Sequence, residues 1–117
     1  MKYINTTAAR AFMSVKTKDK TVDGFAKKLA DAFSIKTLIW FGSRANNTHL
    51  NDSDYDFLII SGDFEKIDFL DRIPLVMRKT KSFFAADFLC YTEKEFVEKK
   101  KQIGIVSNAV KTGVRII

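Results

Sequence analysis

Cysteine, proline and histidine each occur once in the 117 residues, as Cys90, Pro74 and His49. A lone cysteine closes no internal disulfide, and without a CxxC pair or a second histidine there is no zinc-ligand pattern. Cys90 lies in an apolar run and reads as a small buried hydrophobe rather than a nucleophile. No run of about eighteen apolar residues marks a membrane span, and no continuous apolar segment near the N-terminus marks export, so a cytoplasmic location is expected. No repeat, low-complexity tract or Pro/Gly/Ser linker interrupts the chain, and its length suits one domain over residues 1–117, with 1–20 the least legible part.

Apolar residues are plentiful. Eleven phenylalanines among 46% hydrophobic residues are enough to fill a core and argue against disorder. The net charge of +6 favours polyanionic partners. Charge is unevenly spread: seven of the fourteen acidic residues lie between Asp52 and Asp71, opposed only by Lys66. A cation site flanked by phosphate-attracting surface accounts for such a focus, as does clustering on solvated helices.

The pattern of apolar positions alternates helix and strand. Val22, Phe25, Ala26, Leu29, Ala30 and Phe33 fall on one helix face, with Thr21 available as N-cap. Residues 37–41 and 55–60 are compact β-branched and aromatic runs ending at Gly42 and at Ser61-Gly62, hence buried strands. Residues 64–80 are helical in spacing, with Pro74 expected to kink or divide them. Residues 83–91 read as a third buried strand, and Thr92 with Glu95 forms a capping box for a helix at 93–102 that ends by Gly104. A short helix at 105–111 and a strand at 114–117 close the chain, and a helical turn or two is expected at 8–15. The expected architecture is α/β (α+β), one mixed sheet of about four strands flanked by helices. Trp40 and the strand phenylalanines are read as core.

Chemistry is concentrated between residues 41 and 60. A strand ending in Gly42-Ser43 and turning into a helix offers unpaired N–H groups and a hydroxyl to a phosphate, although the pair could equally be a turn and a cap. Asp54 and Asp56, one residue apart at a strand start, point to the same face while Tyr55 and Phe57 point to the other. Two such carboxylates repel one another unless a cation lies between them, and oxygen-only ligands favour magnesium or manganese; an Asp-rich turn is the plainer reading. A two-metal transfer needs further carboxylate. Asp87, within the apolar run 83–91, is the candidate: buried there it would need a cation or a donor, and the alternative is a strand-edge residue facing water. His49, in the loop between the two halves, is read as solvent-exposed, and the basic runs 78–81 and 99–101 as helix ends or a docking patch for nucleic acid or another acceptor.

Gly42-Ser43, ten intervening residues, then Asp54-Tyr55-Asp56 resembles the Gly-Ser-x10-Asp-x-Asp signature of the DNA polymerase beta-type nucleotidyltransferase superfamily, in particular its minimal branch. The resemblance spans about residues 37–91 and departs from the pattern at Asn47, where many relatives carry glycine. It implies a nucleotidyltransferase fold, ATP as substrate, and magnesium or manganese held by Asp54, Asp56 and Asp87, with Asp87 also helping to activate the acceptor hydroxyl. By the same resemblance Gly42 and Ser43 hold the triphosphate and Arg44 sits nearby. It further implies AMP transfer to a hydroxyl, for example a tyrosine, on a small all-helical HEPN-type partner, this chain being the antitoxin of the pair. The competing expectation is a catalytically silent antitoxin module with a vestigial site; a nucleic-acid-binding domain is a weaker third.

Overall fold

The computed structural model describes residues 16–46 and 54–117. The helical turn expected at 8–15, and Asn47 and His49, lie outside the described residues. In chain order the elements are α1 (Lys20–Ala32), β1 (Ile35–Phe41), a short α2 (Gly42–Ala45), β2 (Tyr55–Ser61), a 3-10 turn (Gly62–Lys66), α3 (Phe69–Thr80), β3 (Ala86–Tyr91), α4 (Glu93–Lys99), α5 (Ile105–Thr112) and β4 (Val114–Arg115). The strands form one sheet in the order β3-β2-β1-β4. β1 runs antiparallel to β2 and β4, whereas β2 and β3 are parallel. This is the mixed α/β arrangement expected from the alternation of patterns.

The alternation of β2 divides the core. Tyr55, Phe57 and Ile59 join Val22, Phe25, Leu29, Trp40, Val76 and Phe88 on one face, under α1 and α3. Leu58 and Ile60 join Ile39, Phe41, Tyr91, Val106 and Ala109 on the other, under α4 and α5. Covered on both faces, β2 carries apolar side chains at every position from Phe57 to Ile60, which is why it reads as a continuous run.

Several boundaries differ from the sequence expectation for identifiable reasons. The N-cap of α1 is Asp19, whose side chain accepts from the N–H groups of Thr21 and Val22; Thr21 therefore lies inside the helix. A carboxylate at that position adds its charge to the helix's positive end, which a hydroxyl does not. The break in 64–80 falls at Ile67-Asp68, not at Pro74, which α3 accommodates. The bond lost there is the one to Leu70, a residue 84% exposed, whose end of the helix has access to water. β3 begins only at Ala86, and Phe83 stands 91% exposed in the loop before it. α4 keeps its Thr92–Glu95 capping box yet stops at Lys99, because no apolar residue meets the sheet between Phe96 and Val106.

A buried cation locks this half of the fold. Arg72, 5% exposed, donates from Nε to the Ile67 carbonyl and from Nη1 to the Cys90 carbonyl, and both Nη atoms bond Glu95 at 2.6 and 3.2 Å. α3, β3 and α4 are thereby held by one guanidinium. Cys90 is buried, and burial pushes its thiol up to about 12, as suits an inert core residue.

Candidate active site

At one end of the sheet three strands bring the acidic residues into line. Phe41, the last residue of β1, is the register partner of Asp56, and Asp56 is the partner of Asp87 on β3. Adjacent strands lie roughly 4.8 Å apart, so neighbouring register positions put the two carboxyl-bearing carbons side by side. Asp56 and Asp87 share the face of Leu58, Ile60 and Tyr91, while Asp54 stands exposed just before β2 begins.

Gly42 follows Phe41 directly and has φ +82, a conformation that L side chains rarely adopt. A Cβ built there would run into the Asp56 carboxyl oxygen and lie 3.0 Å from its Cγ. The turn therefore requires glycine twice over, for its backbone angle and because the Asp56 carboxyl packs against it. Ser43 and Arg44 follow in α2, whose N-cap is Phe41 and which has no side-chain capping bond, so Ser43 is not its cap.

Arg44 lies with its guanidinium 4.4 Å from the centre of the Tyr55 ring and donates to the Tyr55 hydroxyl at 3.4 Å. The same hydroxyl donates to Asp19 Oδ2 at 2.8 Å. Burial, then the hydrogen bond to Asp19, raises the Tyr55 hydroxyl above its ordinary range. Tyr55 belongs to the face under α1, opposite to Asp56, so Arg44 braces the glycine turn from behind. Nothing in the sequence pattern flagged this chain from Arg44 through Tyr55 to Asp19, since Asp19 sits in what reads as an exposed connection.

Strand register puts Asp56 beside Asp87, and the electrostatics follow from it. The Asp56 carboxyl is raised above the ordinary aspartate range, first by burial and then by the charges of Asp87 and Asp54. Asp87 itself is exposed, which corrects the expectation that it is buried within an apolar strand. β3 is the edge of the sheet, and its apolar character serves Phe88 on one face and Tyr91 further along the other. Among the described residues no three His, Cys, Asp or Glu side chains are drawn together closely enough to hold an ion as placed. The set is open, all oxygen in its donors, and repulsive in the absence of counter-charge; a hard divalent cation fits it, because gathering these carboxylates around one relieves that repulsion.

Residues 22–116 match the family model described as "Nucleotidyltransferase domain". The chain belongs to this nucleotidyltransferase domain family, whose chemistry is the transfer of a nucleoside monophosphate from a triphosphate and which generally works with a divalent metal. The fold is shared with the crystal structure of an inferred nucleotidyltransferase from Sulfolobus solfataricus, at TM-score 0.58 and 20% identity, over 98% of this chain and 89% of the other. No curated protein matches the chain. Among the described residues no helix is long and apolar enough to cross a membrane.

Proposed function

We propose that the chain transfers AMP from ATP to a hydroxyl on a partner protein, working in the cytoplasm as the antitoxin of a toxin–antitoxin pair with a helical HEPN-type partner. The observation that carries the catalytic part is the register of Asp56 with Asp87 beside a Gly42 turn that only glycine can make. In this reading Asp54, Asp56 and Asp87 hold magnesium or manganese, which supplies charge stabilisation for the transferring phosphoryl group. Gly42 and Ser43 bind the triphosphate through backbone N–H groups and the hydroxyl, with Arg44 holding that turn in place. The acceptor oxygen attacks the α-phosphorus, the bond to pyrophosphate breaks, and the hydroxyl proton passes to a carboxylate. Asp87, exposed on the sheet edge, is the carboxylate this reading assigns to receive it.

A protein partner is supported by α3. Phe69, Ile73 and Met77 recur at helical spacing, and with Leu70 they are 51%, 37%, 40% and 84% exposed. An apolar stripe of this kind suits a helix laid against it. The same stripe serves the alternative, a silent antitoxin that neutralises by contact alone. Co-purification with a small helical protein encoded beside this chain, incubation with ATP and magnesium, and mass spectrometry of that protein separate the two. Added AMP, lost when Asp54→Ala and Asp56→Ala are combined, supports transfer. An unmodified partner that the double variant still neutralises supports contact alone.

A further inference from the structure

On the face of the sheet away from the carboxylates, but at the same end, lies a cleft of about 370 Å³ between α1 and the loop that enters β3. Its charged lining is Lys20, Lys28 and Lys81, its floor is formed by Phe25 and Phe84, and Phe83 stands at its mouth. Phe84 packs edge-on against Phe25 and Tyr55, at 5.8 and 5.4 Å between ring centres, which ties the floor to the core. Phe83 is the opposite case: a large apolar ring, 91% exposed, that contributes nothing to the core.

Among the described residues no ion pair ties these cations to the fold. The ion pairs among the described residues join Lys36 to Glu93, Arg72 to Glu95 and Lys101 to Glu98, leaving the three cleft lysines outside them. Two acids at the start of α1 are engaged elsewhere: Asp19 caps the helix and accepts from Tyr55, and Asp23 accepts from the backbone and hydroxyl of Thr17. Lys81 also has φ 50 and is the one non-glycine residue with positive φ among the described residues. Glycine or asparagine would terminate α3 there with less strain, so lysine in that position points to a use for its charge.

We infer that this cleft binds single-stranded nucleic acid, the three lysines contacting successive phosphates while an unstacked base lies on Phe83. Lysines with an exposed aromatic ring match the two requirements of single-strand binding, a basic track and a stacking platform. A duplex keeps its bases stacked and has no use for Phe83. An acidic protein would pair with the lysines but gain little from a flat, isolated ring.

Fluorescence anisotropy with a labelled oligouridylate of about twelve nucleotides tests this, in EDTA and without nucleoside triphosphate, so that the outcome does not depend on the transfer chemistry. Three phosphate contacts predict that log affinity falls against log salt with a slope near −2, and Lys28→Gln with Lys81→Gln should reduce that slope by about 1.4. Phe83→Ala, at an exposed site that leaves folding intact, should weaken binding roughly five- to hundred-fold. Asp56→Asn should bind as the parent does, which separates failure here from failure at the active site. The inference is overturned if Phe83→Ala and the lysine pair bind unchanged, if a Lys99→Gln, Lys100→Gln, Lys101→Gln variant carries the loss instead, or if polyglutamate competes as well as the oligonucleotide.

Discussion

Replacing Gly42 by alanine separates the two reasons for glycine at that turn. The backbone at φ +82 puts an L side chain in a region that costs roughly 1–2 kcal/mol. In a chain of 117 residues that corresponds to a fall in Tm of roughly 4–8 °C. The added methyl also lands on the Asp56 carboxyl, which must swing away because the room left beside Cγ is only 3.0 Å. A reacting group displaced by about 1 Å loses on the order of a hundredfold in rate. Activity should therefore fall by roughly two orders of magnitude while the protein stays folded at room temperature. Thermal unfolding and magnesium-dependent pyrophosphate release, measured on one preparation, provide the two numbers. A Gly42→Ala protein as active and as thermally stable as the parent would refute both the strain and the contact.

Two carboxylates should show opposite pH behaviour in metal-free buffer. Asp56 is harder to ionise in the folded chain than in the unfolded one, so its charge opposes folding as pH rises through the carboxylate range. Asp56→Asn should accordingly melt higher than the parent at neutral pH, with the gap closing in acid. The Arg72 guanidinium, chiefly by hydrogen bonding, holds Glu95 below its ordinary range, so its stabilisation is present at neutral pH and disappears as pH falls. Glu95→Gln should cost about 1–2 kcal/mol at neutral pH, because it leaves the buried Arg72 without its counter-charge while the half-exposed Glu95 side is screened by water, and little in acid. Urea titrations across pH check both signs. Gly24→Ala, mid-helix in α1 with nothing within 4 Å of the added carbon, should stabilise by about 0.5–1 kcal/mol in the same titration.

Most of the fold can be read from periodicity because each face of β2 demands apolar residues and α1 buries a single stripe. The candidate site is legible for a different reason. Glycine with positive φ, and two aspartates one residue apart at a strand start, are local requirements that spacing alone displays. The failures are non-local. Phe83 and Phe84 look like strand residues, yet whether an aromatic ring enters the core or faces water depends on where α3 ends, and the left-handed Lys81 is invisible in the sequence. The apolar neighbours of Asp87 favour burial over a strand-edge position facing water; only the strand order reveals that β3 is an edge and that the second reading holds. The service of Arg44 to Tyr55 and Asp19 likewise depends on α1 packing against β2, which no short-range pattern encodes.

The proposed function stands on Asp54, Asp56 and Asp87 closing around a divalent cation beside the Gly42 turn. Manganese added in small steps to an isotope-labelled sample reports this directly, since the bound ion broadens the amide signals nearest to it. Broadening should begin at Gly42, Ser43, Asp56 and Asp87, spare Lys28 and Lys81, and require far more manganese in Asp56→Asn. Uniform broadening across the acidic surface, or a pattern unchanged in Asp56→Asn, would contradict the claim.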